Sequence, residues 1–116
     1  MDSILTSIKK MLGIESDYTQ FDIDIIMHIN SVFTILNQLG VGPEEGFAIE
    51  DETAVWTDFM DNCPKLNSVK SYMYLKVKLL FDPPLSSGVT DSIKNLVNEF
   101  EWRLNVAAGP GETTNS

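Results

Sequence analysis

Side chains able to do covalent or acid-base chemistry are sparse in this sequence. There is one histidine, His28, and one cysteine, Cys63, and they fall in different segments. A Cys-His nucleophile needs the base within hydrogen-bond reach of the thiol and a third group to orient the base. Nothing adjacent to either residue supplies that third group, and the plain alternatives are a helix-surface histidine and a small core thiol. With one Cys and one His, the ligand spacings of zinc sites cannot be written. Carboxylates are abundant, and Asp22 with Asp24, Glu44 with Glu45, or the acids at 50–52 could in principle meet a hard cation. The D-x-D-x-D-G run with a closing Glu that builds a calcium loop is absent, so solvated charge is the expectation. Gly40, Gly42 and Gly46 cluster without a following Lys-Ser or Lys-Thr, which excludes a phosphate-cradling loop of that type. The chain is expected to have no catalytic residues, no cofactor and no metal, and to act through its surfaces.

The charge pattern says which surfaces. Net charge is −9, and from Met11 to Pro64 there are eleven acids and no lysine or arginine. Residues 65–81 then carry Lys65, Lys70, Lys76 and Lys78 and no acid. Binding nucleic acid through phosphates needs clustered positive charge, and four lysines on one helix of an acidic protein make a poor case for it. The N-terminus lacks the leading positive charge and unbroken apolar core of a signal peptide, and no apolar run approaches the ~20 residues that cross a bilayer. A cytoplasmic product is expected, and a lone cysteine suits a reducing compartment.

The elements that must present these surfaces read as helices. Ile4, Leu5, Ile8, Met11 and Leu12 share one helical face, and Gly13 with Ile14 supplies a C-terminal stop, giving a helix over about 2–12. A second helix begins near 19–22 and ends at Leu39, with Gly40 after it. Its core stripe is Ile25 or Ile26, Ile29, Val32 or Phe33, and Leu36, while Ile23, Met27 and Ile35 point elsewhere. Residues 41–51 read as loop. Asp51 is the expected cap of a short helix bearing Val55, Trp56, Phe59 and Met60, ended by Cys63-Pro64. A fourth helix over about 66–81 shows two apolar rows: Leu66, Val69, Met73, Val77 and Leu80, then Tyr72, Leu75 and Leu79. Asp82-Pro83-Pro84 stops it, because proline removes a backbone donor and restricts the residue before it. Ser86, Ser87 or Thr90 caps a fifth helix with the stripe Val89, Ile93, Val97, Phe100 and Leu104, and Trp102 lies off that stripe. No strand-like alternation of useful length occurs. The fold class is therefore all-α, a small bundle of about five helices whose two longest, C-terminal members are joined by a Pro-Pro turn. Residues 1–108 form one domain and 109–116, rich in glycine and polar side chains, a flexible tail.

Two helices that are apolar on more than one face are hard to cover in so small a bundle. Self-association is the economical remedy, with tryptophan and tyrosine as typical anchors. The candidate subunit or partner interface is Tyr72, Leu75, Leu79 and Trp102.

The run YLKVKLLFDPP at 74–84, the serines Ser86 and Ser87, EWRLN at 101–105 and GFAIEDETAVWTDF at 46–59 occur in an order that resembles the head-tail connector proteins of long-tailed phages and prophages of Gram-positive bacteria. The resemblance runs from about the second helix to Val106, and Gly88-Val89 departs from it where a bulkier apolar residue is usual. It implies a small helical structural protein of the virion, made in the host cytoplasm. Copies would assemble as a ring, dodecameric in the family, beneath the portal protein and meet a stopper or tail-completion protein. Duplex DNA would pass through the centre without specific binding. On that reading Asp22, Asp24, Glu44, Glu45 and Glu50 are the candidate channel-facing acids, and the four lysines serve acidic neighbours. The rivals are an acidic DNA-mimic inhibitor of a DNA-binding enzyme, which would display acid along an elongated face, and a small helical regulator.

Overall fold

The computed structural model describes residues 3–108; the expected tail at 109–116 lies outside them. Five helices follow in order, α1 (Ile4–Met11), α2 (Asp22–Gln38), α3 (Trp56–Phe59), α4 (Pro64–Phe81) and α5 (Ser87–Ala108). Among the described residues there is no strand, only an isolated antiparallel bridge between Ser3 and Val55. The all-α expectation holds. α4 lies in the middle, in contact with α1, α2 and α5. The molecule measures 46 × 36 × 21 Å, and its thin dimension is about two helix diameters.

Local sequence explains most boundaries. Ser3 Oγ accepts from Thr6 N at 3.2 Å and opens α1. α2 ends in a Schellman motif: Val41 N donates to Leu36 O at 2.9 Å and Gly40 N to Asn37 O at 3.0 Å. Gly40 has φ 83°, a conformation that glycine adopts without a Cβ penalty. Gly42 is needed for a second reason, since a Cβ there would lie 2.3 Å from the Phe59 ring. Asp22 and Asp24 stand in the first turn of α2, where the helix dipole favours negative charge.

Two boundaries differ from expectation. Pro64 is the first residue of α4, a position where its missing N–H has no helical partner to lose; the same proline that bars continuation of the preceding segment starts the next. Asp51 does not cap α3. It accepts from Thr53 N at 2.9 Å and from the Thr53 hydroxyl, bonds that hold its carboxyl below the usual range. The start of α3 is closed instead by Asp58, which accepts from Val55 N at 3.0 Å. Ser86 is the residue that opens α5, its hydroxyl accepting from Val89 N at 3.4 Å. Residues 82–86, with Pro83 and Pro84, connect α4 to α5, and the pairing of Tyr72 with Glu101 shows that α5 folds back along α4.

One contiguous core joins Ile4, Leu5 and Ile8 of α1 to Ile25, Ile29, Val32, Phe33 and Leu36 of α2 and Leu66, Val69, Met73 and Val77 of α4. Phe33, Phe47 and Phe59 pack with centroids 4.7 to 5.4 Å apart, tying the 41–59 segment to α2. Asn30 clamps it further: its Nδ2 donates to Ile49 O at 3.0 Å and its Oδ1 accepts from Ile49 N at 2.8 Å. Trp56 is buried, and its Nε1 donates to Ser7 Oγ at 2.8 Å. Leu80 and Val89, expected in core rows, are about half exposed: both stand where α4 gives way to α5, beyond the reach of the flanking helices.

Candidate functional site

The second apolar row of α4 is covered from within the chain. Tyr72 is fully buried, and its hydroxyl donates to Glu101 Oε2 on α5 at 2.7 Å. Burial, and then the bond and charge of Glu101, push the Tyr72 hydroxyl well above the ordinary tyrosine range, so it stays a neutral donor. Lys76 Nζ lies 3.9 Å from the same carboxylate. Leu75 and Leu79 are half-buried against the core. With α5 in place, Tyr72 offers nothing to a second molecule, which removes it from the outer surface. Trp102 is a different case. It is 67% exposed, as is 54% of Val106, one turn further along the same face of α5.

A second bare strip lies on α2, which the sequence marked as two-faced without marking as a site. Ile23 is 74% and Met27 63% exposed. Beside them an aromatic chain runs from Tyr18 to Phe21, centroids 5.7 Å apart, and from Phe21 to Phe81 of α4, 5.4 Å apart. His28 completes it 6.3 Å from Phe81, so the histidine serves as a packing group. What fixes this corner is Lys9, which is 2% exposed. Its Nζ donates to Ser16 O at 3.1 Å and Tyr18 O at 2.7 Å and lies 2.8 Å from Asp22 Oδ1. The approach to Asp22 falls outside hydrogen-bond angles, making it a charge contact. A buried lysine is legible only from the tertiary structure: Lys9 follows the core residue Ile8, and its partners are seven to thirteen positions away.

The candidate acids therefore divide. Asp22 is partly sheltered and neutralised by Lys9, whereas Asp24, Glu44, Glu45 and Glu50 are exposed. Residues 43–50 run back along α2, held by Asn37, whose Nδ2 donates to Pro43 O at 3.0 Å and Glu44 O at 3.2 Å, and by the Asn30 clamp. Glu44, Glu45 and Glu50 thus belong to a segment held along one flank of α2, and Asp24 stands in the first turn of that helix. Of the lysines, Lys78 pairs with Asp82 at 2.9 Å, and Lys70 sits 5.8 Å from the centroid of the Trp56 ring.

No group of three or more His, Cys, Asp or Glu suited to a metal occurs among the described residues. An open depression of about 400 Å³ lies beside α1, lined by Thr6, Lys10, Gly13, Ile14, Glu15 and Ser16. It is open to solvent and offers one amine, Lys10, and one carboxylate, Glu15. No described helix is long and apolar enough to cross a membrane.

Compared with known proteins, residues 4–111 match the family model described as phage connector protein, a span that takes in all five helices. Neither the curated proteins nor the solved structures contain a match. The blocks around the Pro-Pro turn and on α5 that carry the sequence resemblance lie within the matched span, and the helical, surface-driven molecule described above fits a structural part of the virion. The chain belongs to the phage connector protein family, structural components of the phage head-tail junction.

Proposed function

We propose that copies of this chain form a ring beneath the portal protein, extend its DNA channel and join the filled head to a stopper or tail-completion protein. The observation that carries this reading is the exposed apolar surface left outside the core, the most exposed pairs one turn apart being Ile23 with Met27 on α2 and Trp102 with Val106 on α5. Exposed apolar side chains that form a contiguous patch often mark a protein–protein contact. A ring of twelve is the number the family resemblance suggests.

Asp24, Glu44, Glu45 and Glu50 face the passage in this reading, with Asp22 held back by Lys9. Carboxylates repel phosphates over about a Debye length, ~8 Å at physiological salt, so duplex DNA slides through without being held. Lys76 and Lys78 already face Glu101 and Asp82, which supports a role for the α4 lysines toward acids and not toward DNA.

Mixing the protein with purified portal and imaging by negative stain tests the ring: a stack of two coaxial rings is expected. The wild type should show no duplex binding at low salt, and lysine in place of Glu44, Glu45 and Glu50 should slow or trap DNA passage while rings still form. Tight, salt-sensitive duplex binding, abolished by changing Lys65, Lys70, Lys76 and Lys78, would overturn the passive channel.

A further inference from the structure

We infer that residues 14–22 form a strap, closed on the ammonium of Lys9, that opens as one unit while the helices stay folded and so exposes or withholds Lys9 and Asp22 together. This goes beyond the ring reading and does not depend on it. Every side chain from Glu15 to Phe21 is exposed, so the segment lacks the buried apolar anchors that fix the helices. Its own backbone bonds are local turns, from Tyr18 N to Glu15 O and from Asp22 N to Thr19 O. Beyond its two ends, what reaches it from the body of the molecule among the described residues is Lys9 Nζ, donating to Ser16 O and Tyr18 O, and the Phe81 ring, 5.4 Å from that of Phe21. Few buried contacts and a solvent-exposed backbone mark a segment that opens at lower free energy than the core.

The cation and the strap depend on each other. Lys9 is 2% exposed, and an ammonium held out of water persists only where partners compensate it. Its three partners all come from the strap: the carbonyls of Ser16 and Tyr18 and Asp22 Oδ1, at 2.7 to 3.1 Å. Asp22 Oδ1 is itself buried without a hydrogen bond, so the same charge compensates it. Losing one contact leaves the others short of a partner, which couples them into a single step. The surroundings permit that step. Gly13 offers a pivot in front of the strap, with φ 83° and nothing within 4 Å of where a Cβ would lie. The open depression lined by Thr6 and Lys10 of α1 and by Ile14, Glu15 and Ser16 puts solvent between α1 and the strap.

Acetylation of the wild-type protein by a water-soluble N-hydroxysuccinimide ester, timed by peptide mass spectrometry, tests the strap against amide exchange in α4. Lys10, the exposed neighbour, gives the unprotected rate. Lys9 should react about 100-fold more slowly than Lys10 or slower still, yet its protection should be at least about 10-fold smaller than that of the buried Met73 amide, which reports global unfolding. Low urea should barely change the protection of Lys9 while reducing that of Met73, because opening the strap exposes little surface. Asp22→Asn deletes the paired charge and should lower the protection of Lys9 by about 10-fold or more; Asp22→Ser takes its place if thermal unfolding shows that the first variant does not fold. Lys9 reacting as fast as Lys10 would mean that no closed strap exists in solution. Protection and urea dependence equal to those of Met73 would mean that the strap opens only with the whole molecule, and unchanged protection in a folded Asp22 variant would remove the charge from the closure. Each of these results overturns the inference, and none of them touches the ring.

Discussion

α4 and α5 are the two longest helices, 18 and 22 residues, and they meet solvent in opposite ways. α4 buries Leu66, Val69, Tyr72, Met73 and Val77 because helices flank it on several sides. α5 packs on α4 alone to any extent, buries Val97 and Leu104, and leaves Leu96, Trp102 and Val106 in solvent. Both carry more apolar residues than one helical stripe needs. The difference shows that apolar surplus indicates a covered helix only after its place in the layer is known: the central helix finds its cover inside the chain, and the flanking helix leaves its surplus in solvent.

The largest expected effect tests the central role of α4. Met73→Ala removes a side chain with no solvent exposure and should destabilise the monomer by about 3 kcal/mol, within the range for buried methionine truncations. Urea unfolding followed by circular dichroism measures it. A loss no larger than that of a surface substitution would break the contrast between the helices. Next comes Lys9→Met, which keeps the volume and deletes the charge. It leaves two carbonyls and Asp22 without their cation. Asp22 retains 23% side-chain exposure, so water softens the penalty of an unpaired buried charge to about 2 kcal/mol.

The Tyr72 to Glu101 bond joins the two helices and gives a smaller effect with a pH signature. Tyr72→Phe should cost about 1 kcal/mol near neutral pH, because Glu101 is partly exposed and can recover water. The pH dependence follows from the raised pKa of the buried hydroxyl. Below the unfolded tyrosine value of about 10 both states hold the proton, and the full contribution is present. Above it the unfolded chain releases the proton and the native one does not, so stability falls as pH rises, by at most about 1.4 kcal/mol per unit for one group. The wild type should therefore lose more stability than Tyr72→Phe between pH ~10 and ~11. Parallel curves would place the hydroxyl in contact with water and loosen the α4 to α5 seam.

Much of this arrangement is legible in the sequence. Gly40 after Leu39, and the prolines after Asp82, are local signals, and they mark helix ends correctly because capping and proline sterics act over a few residues. The stripes of α2 and the off-stripe position of Trp102 follow from helical periodicity alone. Tertiary neighbours decide the rest. Tyr72 and Trp102 both read as off the main rows, and only the position of α5 separates a buried donor from an exposed ring. Lys9 reads as a surface lysine until the 14–22 segment folds over it. Asp51 offers a cap five residues before the first residue of α3, yet the chain turns first at Thr53 and Asp58 takes the part.

The smallest stability effect carries the sharpest distinction. Trp102→Ala removes the largest exposed side chain of α5, and with 67% of its surface already in water the substitution should change the unfolding free energy of the monomer by less than about 0.5 kcal/mol. A residue that is only part of the core could not be so cheaply removed; a residue kept for a partner should be. The same substitution should weaken assembly by about 2 kcal/mol or more, since tryptophans at the centre of an interface are typical anchors. Measured side by side, thermal unfolding and sedimentation give two numbers for one side chain. A large loss of stability with unchanged assembly would make α5 a second α4, its tryptophan folded into the core in solution, and the distinction between a covered centre and an open flank would fall with it.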